Sequence, residues 1–148
     1  LNYSKAGSTE DIKNEIDRMV REEKLSLKQA ECIKLKDIDT FAGSSIGERI
    51  KRAYAYGGVK REQPFVFEYD RQLVQGVIDL YFIEDGQLVI VDYKTDRVLR
   101  GRAGEDELRR RYSIQLDYYA MALSQITGLK VKEKVIYSFA LGRSLTVE

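Results

Sequence analysis

Apolar residues recur at a helical period in the first third of this chain and at a strand period beyond it, with the change falling near Gly57-Gly58. Ile12, Ile16, Met19 and Val20 follow the capping signal Ser8-Thr9-Glu10-Asp11 and predict a helix from Thr9 to Glu23. Ser26-Leu27-Lys28-Gln29 and Ser45-Ile46-Gly47-Glu48 match the capping box, predicting short helices near 27–33 and 46–55 with a further turn at 37–42. After the glycines, the only proline, Pro64, sits just ahead of a predicted strand over 65–69, and Asp70-Arg71 turns the chain into two apolar runs, 73–83 and 88–93. Leu108, Tyr112, Leu116, Tyr119, Leu123 and Ile126 then fall three or four apart, predicting a long helix from Glu105 to Ile126 that Gly128 ends. Val131 to Ala140 alternates, with Val135, Tyr137 and Phe139 on one side, and a last fragment covers 144–147. Helices followed by consecutive antiparallel strands give an α+β unit, with helices laid on a sheet.

The two central runs flank Asp85-Gly86, the strongest short-range signal for a two-residue type I′ hairpin. With those residues as the loop, Glu84 faces Gln87, and counting back sets Asp79 directly opposite Asp92. Opposed Cβ atoms lie only about 4.5–5.5 Å apart, where like charges destabilise a sheet. Lys94 shares the Asp92 face, roughly 6.5–7 Å along the strand, while Val89, Val91 and Tyr93 point the other way. A divalent cation held by the two carboxylates beside the lysine would account for this arrangement. The alternative is a solvated salt bridge on a strand face, worth under about 1 kcal/mol. The opposition of the acids, the apolar crowding of both strands and Gly76, which weakens a strand unless something must approach closely, favour the site.

Composition narrows the chemistry. The 148 residues, 43% of them hydrophobic, suit a single domain. The boundaries expected are a helical layer over 1–58 and a core over 59–148. The sequence holds no histidine, which excludes His-based acid–base catalysis and His-ligated zinc, and its single cysteine, Cys32, can make neither an internal disulfide nor an iron–sulfur cluster. A formal charge of +1 leaves nucleic-acid affinity to a local patch. Arg97, Arg100, Arg102, Arg109, Arg110 and Arg111 offer one, since arginine clusters suit phosphate; a solvated helix start with acids in its first turn is the equal alternative. No run is long enough to span a membrane and no phosphate-binding P-loop is present, so any ATP-driven motor is expected elsewhere in a longer protein, as the Leu1 start also suggests.

Taken in order, Arg61-Glu62-x-Pro-Phe, Gly76-Val-Ile-Asp79, Val91-Asp92-Tyr93-Lys94-Thr95 and Tyr112-x-x-Gln115-x-x-x-Tyr119 resemble the RecB-type branch of the PD-(D/E)-x-K nuclease superfamily, most closely its AddA-type domains. The resemblance covers roughly residues 45–141. It implies a restriction-endonuclease-like core, a mixed central sheet flanked by helices, excised from a helicase–nuclease. It implies Mg²⁺ or Mn²⁺ held by Asp79, Asp92 and the Tyr93 carbonyl, with Lys94 orienting the attacking water. Glu62, Gln115 and Tyr119 match accessory positions that shape the site and touch the DNA, and Arg97, Arg109, Arg110 and Arg111 are the candidate phosphate contacts. The expected activity is metal-dependent exonucleolytic hydrolysis of DNA, on single-stranded ends in double-strand break repair and recombination, beside helicase domains and a second, AddB-like subunit in the bacterial cytoplasm. No iron–sulfur cluster, nucleotide site or membrane is expected. Such domains usually carry a histidine ligand on a preceding helix; here that helix lies outside the chain or the residue has been lost. The alternative function is a catalytically idle module of the same fold that docks DNA or a partner subunit.

Overall fold

In a computed structural model the described residues are 35–148. The helices expected at 9–23 and 27–33, the surroundings of Cys32 and most of the 1–58 layer lie outside them. Two helices, α1 (Leu35–Ala42) and α2 (Ser45–Ala55), precede strands β1 (Val59–Tyr69), β2 (Gln72–Glu84) and β3 (Gln87–Lys94). Helix α3 (Arg102–Thr127) then leads to β4 (Val131–Ser138) and β5 (Arg143–Val147). The five strands lie in the order β1-β2-β3-β4-β5. β3 and β4 run parallel and every other pair antiparallel. A parallel pair needs a long crossover, and α3 supplies it.

Each sheet face carries its own core. On one, Phe41, Ile46, Ile50 and Tyr54 of α1 and α2 pack against Leu80, Phe82, Val91, Tyr93 and Tyr137. On the other, Leu108, Leu116, Tyr119 and Leu123 of α3 cover Phe65, Ile78, Ile90, Ile136 and Leu145. Leu108, Leu116 and Leu123 are fully buried, and each such side chain stabilises the fold by about 1.5–3 kcal/mol. Ile126, expected on this stripe, is exposed in the last turn of α3.

Several local expectations are revised. Residues 37–42 belong to a complete helix, α1, and not to a turn. The cap of α2 is Ser44, one residue earlier than the motif suggested, its Oγ accepting from Gly47 N–H at 3.1 Å. Gly47 is required there because a Cβ would lie 2.3 Å from the Phe41 carbonyl oxygen, so glycine lets α1 and α2 meet. Pro64 lies inside β1, paired with Val77, and is tolerated because β1 is an edge strand. Both hairpin turns hold two residues at positive φ, Asp70-Arg71 (50° and 64°) and Asp85-Gly86 (54° and 74°), the type I′ signature. Among the described residues no helix is long and apolar enough to cross a membrane.

Candidate active site

The Asp85-Gly86 turn fixes the register of β2 on β3: Glu84 pairs with Gln87, and the ladder runs to Leu80 opposite Val91. The next step along both strands puts Asp79 across from Asp92, and there the ladder gives way to a side-chain contact. Tyr93 N–H donates to Asp79 Oδ2 at 2.9 Å. β1 is irregular at the same level. Arg61 pairs with Leu80 and Gln63 with Ile78, so Glu62 stands across from Asp79 without a ladder rung, and its φ of 52° is uncommon for a residue with a side chain. Ile78 therefore faces α3 while Leu80 faces α1 and α2, a change of phase centred on Asp79.

Asp92 is 3% exposed, and its Oδ2 lies 2.9 Å from Lys94 Nζ. The angle of that ion pair misses hydrogen-bond geometry, so this buried oxygen has no hydrogen-bond donor. Burial, the Asp92 charge and the Asp92 carboxyl within hydrogen-bonding reach together raise Asp79 well above the usual carboxylate range; the Tyr93 N–H and Lys94 work against them. Two acids and one ammonium thus share a partly desolvated patch.

Helix α3 closes the patch from above. Lys94 Nζ donates to Gln115 Oε1 at 3.1 Å and sits 4.0 Å from the centre of the Tyr112 ring. Tyr119, one turn beyond Gln115, is buried, and its phenol is raised by burial and by the charges of Asp92 and Asp79, with Gln115 working the other way. Lys94, Gln115 and Tyr119 therefore gather around the acids. Glu62 Oε1 is buried without a hydrogen-bond partner, and Glu62 joins no metal-binding group of three His, Cys, Asp or Glu residues, none of which occurs among the described residues. The Tyr93 ring is turned away into the other core, against Phe41, leaving only its backbone on this side.

The proposed phosphate contacts divide. Arg109 donates to the Thr146 carbonyl and pairs with Asp106, while Arg111 pairs with Asp96 and Glu107. Arg97 and Arg110 are exposed and make no ion pair among the described residues. Gly76 has a plain packing reason, since a Cβ would lie 3.1 Å from the Phe65 ring. Sequence reasoning gave no role to Asp96, whose Oδ2 accepts from Tyr112 Oη at 2.6 Å, and none at the site to Tyr112, which it placed in the core stripe. The signal was there in the motif that Tyr112 opens: it lies three residues before Gln115, on the same helix side.

The donor set fits a hard divalent cation. Two opposed carboxylates, one of them buried against a single ammonium, meet the preference of Mg²⁺ or Mn²⁺ for a few carboxylate oxygens, the other positions falling to backbone oxygen, water or phosphate.

The chain is 39% identical over 98% of its length to a protein of Thermoanaerobacter sp. (strain X514) whose name is that of the A-type component of an ATP-dependent helicase/nuclease. Proteins of the same name from Clostridium novyi (strain NT) and Clostridium botulinum (strain Langeland) are each 34% identical to it, over 94% and 100% of the chain. The chain spans only 12–13% of the length of these relatives. The profile of the PD-(D/E)XK nuclease superfamily matches residues 3–145, spanning both helices and sheet, and by that match and these identities the chain belongs to the PD-(D/E)XK nuclease superfamily.

Proposed function

We propose that this chain is the metal-dependent deoxyribonuclease module of an ATP-driven helicase–nuclease, degrading DNA ends exonucleolytically in double-strand break repair and recombination. The observation that carries the reading is the pairing of Asp79 and Asp92 beside Lys94, whose ammonium is 2.9 Å from Asp92. Buried like charges are costly unless a cation compensates them. Asp79, Asp92 and the Tyr93 carbonyl would hold Mg²⁺ or Mn²⁺, which when bound supplies charge neutralisation at the phosphoryl oxygens and an acidified water.

The residues of the chain do the rest. In the hydrolysis the oxygen of water bonds to phosphorus, the bond from phosphorus to one sugar oxygen breaks, and that oxygen leaves with a proton. Lys94 is a fixed cationic donor that would orient the water and offset the charge building on the phosphoryl group. Gln115 and Asp92 hold its ammonium in place. Tyr119, a phenol protonated at neutral pH even without its upward shift, stays a donor beside the acids. Glu62, which faces Asp79 across β1 and β2, would complete the wall of the site.

The names of the relatives support helicase domains joined to this module; a second component of AddB type and a place in the bacterial cytoplasm are part of the same proposal. The single unit would have residues 59–148 as its catalytic core. End-labelled single-stranded DNA should be cut in Mg²⁺ or Mn²⁺ and left whole in EDTA. Asp79→Ala should lower the rate by roughly 100-fold or more, since even changes in the outer shell of a metal cost 10–100-fold. Calorimetric titration with Mg²⁺ should lose its heat in Asp92→Asn. DNA binding with no cleavage in either metal would return the fold to a docking role.

A further inference from the structure

An open groove of about 390 Å³ runs between the β1–β2 hairpin and α3. Phe65, Val74 and Gln75 form one wall; Ile114 and Tyr118 form the other. The groove also reaches Gln115 and Tyr119, so it is continuous with the cluster around Lys94.

Its chemistry is not that of a phosphate site. The one cation on its lining is Arg111, already paired with Asp96 and Glu107. The rest is aliphatic, aromatic or amide, with the hydroxyls of Tyr118 and Tyr119 its other polar groups. Ile114 is 65% exposed, apolar surface that folding leaves uncovered. The Tyr118 ring is held edge-on by Phe67 at 6.2 Å and Tyr69 at 5.6 Å, so a planar ligand would meet a ring already in place. The Gln75 and Gln115 side chains add hydrogen-bonding amides at its margin. A neutral, flat, partly polar ligand suits these walls, and every nucleobase has that character.

We infer that the groove receives an unpaired nucleobase from a nucleotide neighbouring the scissile phosphate, and that this favours single strands over duplex. The inference rests on the nuclease reading, because the nucleic acid must reach Lys94 for its neighbouring base to reach Tyr118. In a duplex the faces of the bases are stacked and their edges paired, so a base can enter only after leaving the helix.

The test is a fluorescence-anisotropy titration in EDTA, where no cleavage is expected, using labelled oligothymidylate and an abasic strand of equal length and charge. Stacking on an aromatic ring commonly changes affinity by roughly 5- to 100-fold per base, and the oligothymidylate should bind more tightly by an amount in that range. Tyr118→Ala should remove most of that difference while leaving abasic binding unchanged. Ile114→Ser, at an exposed position where folding is not at stake, should reduce it in the same direction. Equal affinity for both strands in all three proteins, with Mg²⁺-dependent cleavage intact, would overturn the groove and leave the nuclease reading standing. Neither binding nor cleavage by the unaltered protein would overturn both.

Discussion

Lys94 is held from three sides: by Asp92 at 2.9 Å, by Gln115 at 3.1 Å and by the face of Tyr112 at 4.0 Å. A long, mobile side chain thus becomes a fixed charge, with Asp96 anchoring the ring through the Tyr112 hydroxyl. Tyr112→Phe keeps the ring and should leave kcat within a few-fold of the parent. Tyr112→Leu removes the cation–π contact and should lower kcat roughly 3- to 30-fold, with a smaller change in KM, because a mispositioned ammonium weakens the transition state more than substrate binding. Steady-state kinetics on single-stranded DNA would separate the two; equal kcat values would deny Tyr112 this role. The two acids could be brought together from the sequence because a two-residue turn leaves one register possible, and the structure has it. The Tyr112 contact could not, since it depends on how α3 rotates on the sheet. Nor does anything about a glutamate signal the left-handed backbone of Glu62.

Helix α2 is clamped to the sheet at the far end of the same hairpin. Arg49 donates to Glu84 through Nε and Nη2 at 3.0 and 2.8 Å and pairs with Glu133 at 2.7 Å, while Lys132 reaches Glu84 at 2.7 Å. The Arg49 hydrogen bond, helped by Lys132, holds the Glu84 carboxyl far down, at about 2, from an ordinary 4.5. A depressed carboxylate pKa stabilises the fold above its unfolded value and loses that contribution as pH falls through the folded one. Glu84→Gln should therefore cost on the order of 1 kcal/mol near neutrality, and the gap between variant and parent should close between about pH 4.5 and 2. Urea midpoints across that range would show it, and a gap independent of pH would mean that the clamp does not depend on charge. Most elements were legible from periodicity and turn chemistry. Those that differed turned on tertiary facts: Pro64 sits inside β1 only because β1 is an edge, and the turn expected at 37–42 is a helix whose Phe41 packs against Tyr93 and Tyr137.

At the scale of the molecule, a sheet covered by helices on both faces leaves the acids, Lys94 and the nucleobase groove on the α3 side, with the arginine-rich segment running along the same helix. With a formal charge of only +1, long-range attraction for DNA has to be local. Sequence counting treated the arginines alike; the fold does not. Arg109 and Arg111 spend their donors on Thr146, Asp106, Asp96 and Glu107, whereas Arg97 and Arg110 point into solvent without ion pairs among the described residues. Each phosphate contact on a single strand contributes roughly 0.7 to the slope of log affinity against log salt. Arg97→Gln with Arg110→Gln should accordingly flatten that slope by roughly 1.4 for any DNA sequence, with cleavage at saturating DNA preserved. Arg109→Gln with Arg111→Gln should leave most of the slope and lower the thermal midpoint instead, because it breaks contacts that tie α3 to β5 and to the segment after β3. If the second pair flattened the slope and the first did not, the intramolecular pairs of Arg109 and Arg111 would be ones that DNA displaces, and the strand would run along the other side of α3.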